Sequence, residues 1–222
     1  MSIAENLSEL HSQIPDGVQL VAVSKFHPVQ RLMEAYNAGQ RIFGENRAQE
    51  LVQKAPLMPQ DVQWHFIGKL QTNKVRMIMP HVAMIQSIDS IKLLQLVDKE
   101  AARINRKVNV LIQLHVAQEK TKSGFTVQEV LEAAEAGQLQ GYENVTICGV
   151  MGMATFTSDQ EQVAHEFALI KETFNTLKSK HMADNPHFTQ VSMGMSDDWP
   201  LAVQQGSTIV RIGTHIFGPR EY

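Results

Sequence analysis

Eight short runs of apolar, largely β-branched residues recur along the chain, and this recurrence constrains the fold more than any other feature. The runs are Val18–Ser24, Arg41–Phe43, Gln63–Ile67, Val82–Ile88, Val108–Val116, Thr146–Met151, Thr189–Ser192 and Thr208–Ile212. Between them, apolar residues fall at helical spacing over Val29–Ala38, Arg47–Lys54, Asn73–Met79, Ser90–Ile104, Val127–Gly137, Ser158–Lys180 and Asp197–Gln205. Ser158 with Glu161 reads as a capping box opening the longest of these, and Gly39 and Gly137 stand where helix C-caps are expected. Strands that are apolar on both faces need cover on both, so the alternation predicts a parallel sheet wrapped by helices. About eight such units in 222 residues match a compact barrel. The competing open doubly wound sheet would, in its best-known form, carry a G-x-G-x-x-G run after an early strand, and the sequence has none. The expectation is therefore an α/β fold, one TIM-type (β/α)8 barrel domain over residues 1–222.

Composition narrows the partners. The chain has 20 Lys plus Arg against 23 Asp plus Glu, a net charge of -3, which gives no electrostatic footprint for nucleic acid or an anionic membrane. The lone cysteine, Cys148, excludes an intramolecular disulfide and a thiolate-rich metal site, and suits a reducing compartment. The opening MSIAENLSELHSQI lacks the basic flank and apolar run of a signal peptide, and no apolar stretch reaches membrane-spanning length. A cytoplasmic protein is the expectation. Met77, Met79 and Met84 read as core filler.

A barrel places its active site at the C-terminal ends of the strands, so the residues after each apolar run carry the functional signal. Lys25 directly follows the first run. A lysine there either snorkels to water or presents a partly desolvated amine, whose lowered pKa makes it a nucleophile toward an aldehyde. After the seventh run comes Ser192-Met193-Gly194-Met195-Ser196-Asp197-Asp198, and after the eighth Gly213-Thr214-His215-Ile216-Phe217-Gly218. Each loop alone could be a plain turn. Together they fall where barrels frequently bind phosphate, with glycines for close backbone approach and hydroxyls as extra donors. Arg211, within the last strand, needs a partner because its guanidinium cannot shed its charge; a carboxylate or a ligand acceptor such as a ring nitrogen would serve. An amine, a phosphate cradle and an arginine between them describe a site for pyridoxal 5′-phosphate (PLP).

The motifs then become specific. Ala22-Val23-Ser24-Lys25, Phe43-Gly44-Glu45-Asn46 with Gln49-Glu50, and His65-Phe66-Ile67-Gly68-Lys69-Leu70-Gln71-Thr72-Asn73-Lys74 are joined by Lys122-Ser123-Gly124 and the two late loops. In order and spacing this set resembles the YggS/PROSC family of PLP homeostasis proteins, related in fold to the N-terminal barrel of alanine racemase. The resemblance implies Lys25 as the Schiff-base lysine, with Ser192, Gly213 and Thr214 on the phosphate, Arg211 facing the pyridine nitrogen and Asn46 near the cofactor. The chain departs from the family pattern at His115, at His215 and at Gly149-Val150-Met151, where an asparagine, a small residue and Gly-Leu-Met are usual; the two imidazoles are expected near the barrel mouth.

Three functions compete. The first is a non-catalytic carrier that binds PLP and delivers it to PLP-dependent apo-enzymes, as a monomer. The second is a PLP-dependent amino-acid racemase. Racemisation needs a second base opposite the lysine. The related racemases take it as a tyrosine from an additional C-terminal domain, whereas here only Tyr36, Tyr142 and Tyr222 are offered, none on a clear mouth loop. The third uses His65, His115 and His215 as metal ligands, but no H-x-H or H-E-x-x-H spacing supports it, and His65 between Trp64 and Phe66 reads as a hydrogen-bonded core histidine. The carrier is the favoured reading.

Overall fold

The computed structural model describes residues 1–119 and 123–219. Eight parallel strands close on themselves in sequence order: β1 (Gln19–Val23), β2 (Ile42–Glu45), β3 (Gln63–Phe66), β4 (Val82–Ile88), β5 (Val108–Gln113), β6 (Val145–Met151), β7 (Gln190–Met195) and β8 (Ile209–Ile212). Closure is direct, since β1 pairs β8 from Gln19↔Ile209 to Ala22↔Ile212. The connecting helices are α2 (Val29–Asn37), α3 (Ala48–Lys54), α4 (Val75–Ile78), α5 (Ile91–Arg103), α6 (Val127–Glu135), α7 (Gln160–Lys180), α8 (Trp199–Gln204) and α9 (Thr214–Phe217), with α1 (Ile3–Gln13) preceding the barrel. The (β/α)8 architecture expected from the alternation is the architecture observed.

The strand residues divide as a barrel requires. One face of each strand packs outward against the helices, in a core that includes Phe43, Phe66, Ile85, Ile112, Val191 and Ile212 with Leu32, Leu51, Leu94, Val130 and Phe167. The other face fills the lumen with Val21, Met84, Leu111, Cys148, Met151 and Ile209. Burial pushes the Cys148 thiol up to about 11, so the lone cysteine is an inert filler rather than a nucleophile. Of the three methionines read as core, Met79 and Met84 are buried and Met77 is exposed.

Local differences have local causes. Gly39 and Gly137 follow α2 and α6 with φ of 100° and 70°, the left-handed C′ conformation expected of them. The helix expected over Asn73–Met79 is instead a 3-10 turn (Thr72–Lys74) running into the single turn of α4. The cap of α7 is Asp159, whose carboxylate accepts the N–H groups of Glu161 and Gln162; the aspartate one residue later displaces the expected Ser158 box. The capping boxes that do form are Ser2–Glu5 on α1 and Thr126–Glu129 on α6. Among the described residues no helix is long and apolar enough to cross a membrane.

Candidate functional site

Strand alternation decides which side chains enter the mouth. On β1 Val21 points into the lumen, so Ser24 faces the helices and Lys25, just past the strand end, faces inward. On β8 Ile209 is luminal, and Arg211 and then Gly213 follow on the same side. A cavity of about 260 Å³ opens at this end, lined by Lys25, His27, Asn46, Ile67, Met153, Phe156, Met195, Ser196, Asp197, Arg211, Gly213 and Thr214 among others. Five of the six residues expected at the site therefore share one cavity: Lys25, Asn46, Arg211, Gly213 and Thr214.

Ser192 is not in that lining. The seventh run extends to Met195, beyond the expected end at Ser192, so Ser192 lies mid-strand and fully buried beneath the cavity. Its place at the rim is taken by Ser196, whose Oγ accepts the Gly213 N–H at 3.4 Å and ties the loops after β7 and β8 together. Asp198 Oδ1 accepts the Met195 N–H at 2.6 Å, closing the turn that leads to α8. The strand continues through Ser192-Met193-Gly194 to Met195, although a glycine inside a run ordinarily marks its end.

Beneath the cavity floor Ser192 joins a directional chain of hydrogen bonds. Arg211 can only donate, and its Nη1 gives a hydrogen to Ser192 Oγ at 2.5 Å while Nη2 donates to the Gly152 carbonyl at 2.9 Å. The Ser192 hydroxyl then donates to Gln86 Oε1 at 2.7 Å. That leaves the Gln86 amide nitrogen facing His65 Nδ1 at 2.9 Å, so Nδ1 accepts and the ring proton sits on Nε2. Burial holds His65 down to about 4, hence neutral, as suits an acceptor at the end of such a chain. Burial lowers Arg211 to about 10, with the charge of Asp198 opposing, so it stays a cation at neutral pH. Among the described residues no carboxylate bonds to this buried cation, which is held by neutral acceptors and lines the cavity.

Two more features mark the mouth. Asn46 Oδ1 is buried and finds no hydrogen-bond partner among the described residues, an acceptor left over for something in the cavity. Gly68 explains part of the long motif after β3: a Cβ there would lie 2.2 Å from the Asn46 carbonyl oxygen, so only glycine lets that loop close on Asn46. Met195 reaches the cavity, whereas Met193 is fully buried on the helix side.

The histidines disperse. His65 is luminal and bonded to Gln86; His115 Nε2 lies 3.1 Å from the Glu119 carbonyl; and His215 faces a separate groove beside Asn6, Leu10 and Gln13 of α1. Neither His115 nor His215 lines the cavity itself, although His115 follows the end of β5 and the groove faced by His215 shares Ser196 and Asp197 with the cavity. Among the described residues no group of three or more His, Cys, Asp or Glu side chains could hold a metal ion. Tyr36 donates to Asp61 and Tyr142 to the Gln138 carbonyl, both away from the mouth; Tyr222 and Lys122 lie outside the described residues.

Behind Lys25, between β1, β2 and α3, sits a largely buried charge cluster that was not among the expected site residues. The Lys54 ammonium donates to Glu45 Oε1 at 2.7 Å, Glu50 Oε2 at 2.8 Å and the Ser24 carbonyl at 2.9 Å. The Ser24 hydroxyl donates to Glu45 Oε1 at 2.7 Å. Burial raises the Glu45 carboxyl despite Lys54. Burial also works to raise Glu50, but the bonds it accepts from Lys54 and from the Phe26 N–H outweigh it and hold Glu50 below its usual value. The signal was present in the sequence as Glu45, Glu50 and Lys54: the last two are four apart on one short helix, a spacing that brings side chains together.

Comparison with known proteins gives the chain a family. The model of the family described as "Alanine racemase, N-terminal domain" matches residues 1–221. A relative from Vibrio alginolyticus named pyridoxal phosphate homeostasis protein is 40% identical over 236 residues, covering 100% of this chain and 99% of its own length. The chain belongs to this family. Another pyridoxal phosphate homeostasis protein, from Schizosaccharomyces pombe, is 41% identical across 91% of this chain and 84% of its own. The solved structure of PipY from Synechococcus elongatus without PLP matches with a TM-score of 0.93 at 38% identity, covering 98% of this chain and 100% of that one; PipY with PLP bound gives 0.88.

Proposed function

We propose that this pyridoxal phosphate homeostasis family member is a non-catalytic carrier that holds PLP in the mouth cavity as a Schiff base with Lys25 and delivers it to PLP-dependent apo-enzymes in the cytoplasm, working as a monomer. The observation that carries the reading is the convergence of Lys25, Arg211, Ser196, Gly213 and Thr214 on one cavity. The residues present fit the cofactor. PLP combines an aldehyde, a pyridine nitrogen and a phosphate, and the cavity offers an amine, a guanidinium donor and a hydroxyl-and-glycine loop pair. The unpartnered Asn46 acceptor adds a place for a donor group.

When bound, PLP supplies a carbonyl with which a primary amine condenses, releasing water. Lys25 provides that amine at the end of a strand packed in apolar surroundings. Ser196 and Thr214 hydroxyls and the backbone at Gly213 grip the phosphate, while Ser192 holds Arg211 from below rather than touching the ligand. Arg211 donates toward the ring nitrogen. An arginine cannot accept the pyridinium proton, so the ring is a weak electron sink and carbanion chemistry is poorly supported. A racemase would need a second base across from Lys25. Neither Tyr36 nor Tyr142 lines the cavity, which favours the carrier.

The two readings separate in deuterated water. Loaded protein incubated with L-amino acids is expected to leave the α-proton NMR signals unchanged over hours, while apo-forms of PLP enzymes mixed with it regain activity. Loss of the α-proton signal at enzyme-like rates would establish the racemase instead.

A further inference from the structure

The buried Glu45–Lys54–Glu50 cluster has no part in the cavity, yet its contacts straddle Lys25. Lys54 takes the carbonyl of Ser24, the residue before Lys25, and Glu50 Oε2 takes the N–H of Phe26, the residue after it, at 2.8 Å. His27 N–H returns to the Ser24 carbonyl at 3.1 Å, so residues 24–27 form a turn with Lys25 at its second position. Phe26, at the third, has φ of 68°. That conformation suits glycine and is costly for phenylalanine, so it persists only where the surroundings impose it. α3 and its N-cap supply three of the imposing groups: Glu50 on the N–H, Lys54 on the preceding carbonyl, and the Arg47 guanidinium 4.7 Å over the Phe26 ring; the His27 ring at the end of the turn stacks on Phe217 of α9.

The ammonium of Lys54 spends its three donors on Glu45, Glu50 and Ser24. It is nearly buried, and Glu45 is fully so. Burying such a cluster is seldom a gain in stability over packed apolar residues, which leaves geometry as its use. We infer that Glu50 and Lys54 are positioning residues for Lys25: they clamp the peptide groups on either side of it and hold a strained turn that aims its amine into the cavity. The inference rests on the Schiff-base reading above.

The test uses the full-length protein and three measurements: the rate at which the imine absorbance band grows with PLP, the affinity for 4′-deoxypyridoxine phosphate (which has the phosphate and ring but no aldehyde), and the thermal midpoint. Glu50→Ala is expected to slow imine formation about tenfold, short of the roughly 100-fold that a full 1 Å misplacement can cost. Its affinity for the aldehyde-free analogue should stay at the wild-type value. Glu50→Gln, which keeps an acceptor for the Phe26 N–H, should react near the wild-type rate. Phe26→Gly, which accepts the positive φ without strain, should restore the rate in the Glu50→Ala background. Phe26→Val, at a half-exposed position that leaves the charges intact, should slow the reaction on its own because a β-branched residue tolerates that φ worst. Wild-type rates in both Glu50→Ala and Phe26→Val, or parallel losses of imine and analogue binding, would overturn the inference while leaving the PLP reading intact. Analogue binding with no imine band in the wild type would instead overturn the Schiff-base reading and the inference with it.

Discussion

At the residue scale, the cavity floor is governed by the one-way chain from Arg211 through Ser192 and Gln86 to His65. Removing its second member leaves a guanidinium donor and the Gln86 acceptor buried without partners. Ser192→Ala is therefore expected to cost about 1–3 kcal/mol, read as a lowered midpoint in urea, and to loosen PLP retention through Arg211. His65 sets a pH dependence. Its ordinary value of 6.5 describes the unfolded chain and about 4 the folded one, so between these the unfolded state binds more protons. The stability contributed by neutral His65 is complete above about pH 6.5 and is lost as pH falls toward 4, by up to about 3 kcal/mol. In equilibrium unfolding at stepped pH, His65→Gln should flatten this part of the profile relative to the wild type. Identical slopes would mean that His65 is not the group responsible.

At the element scale, each strand–helix unit joins an apolar outer strand face to a helix that also carries polar work at the mouth. The short helix α3 shows this: Leu51 is fully buried in the core, while Glu50 and Lys54 turn toward β1. Leu51→Ala should cost about 2–5 kcal/mol and slow the reaction of Lys25 as the helix loosens. Helix ends follow the observed caps. Asp159→Ala should cost about 1 kcal/mol, and Ser158→Ala less than about 0.5 kcal/mol, in chemical denaturation. The reverse order would restore the box read from Ser158 and Glu161. Element existence was legible because apolar periodicity is strong in β1, β4, β5 and α5, whereas ends were not. Asp159 beside Ser158, and Gly194 inside β7, are local choices that tertiary contacts settle.

At the scale of the whole molecule, closure of eight parallel strands brings residue 25 and residues 211–214 to the same end of two neighbouring strands although the whole chain separates them. That pairing was readable, since strand count and order suffice to predict that the first and last strands meet. Less readable was depth within the barrel. Ser192 and Ser196 differ by four residues in one motif, and only the register of β7 decides that the first supports Arg211 and the second reaches the cavity. The direction of His215 was equally unreadable, because the turn of α9 sets it in a groove beside α1, one residue from cavity-lining Thr214. The Glu45–Lys54–Glu50 cluster lay in plain view as charged residues, but a charged face on a helix ordinarily meets water, and here the wall of the barrel intervenes. The most direct measurement of the account is borohydride reduction of the protein incubated with PLP, followed by peptide mass mapping. Reduced PLP should be found on Lys25 and vanish in Lys25→Ala, which should still retain the cofactor weakly through its phosphate; label absent, or spread over exposed lysines such as Lys69 and independent of Lys25, would contradict it.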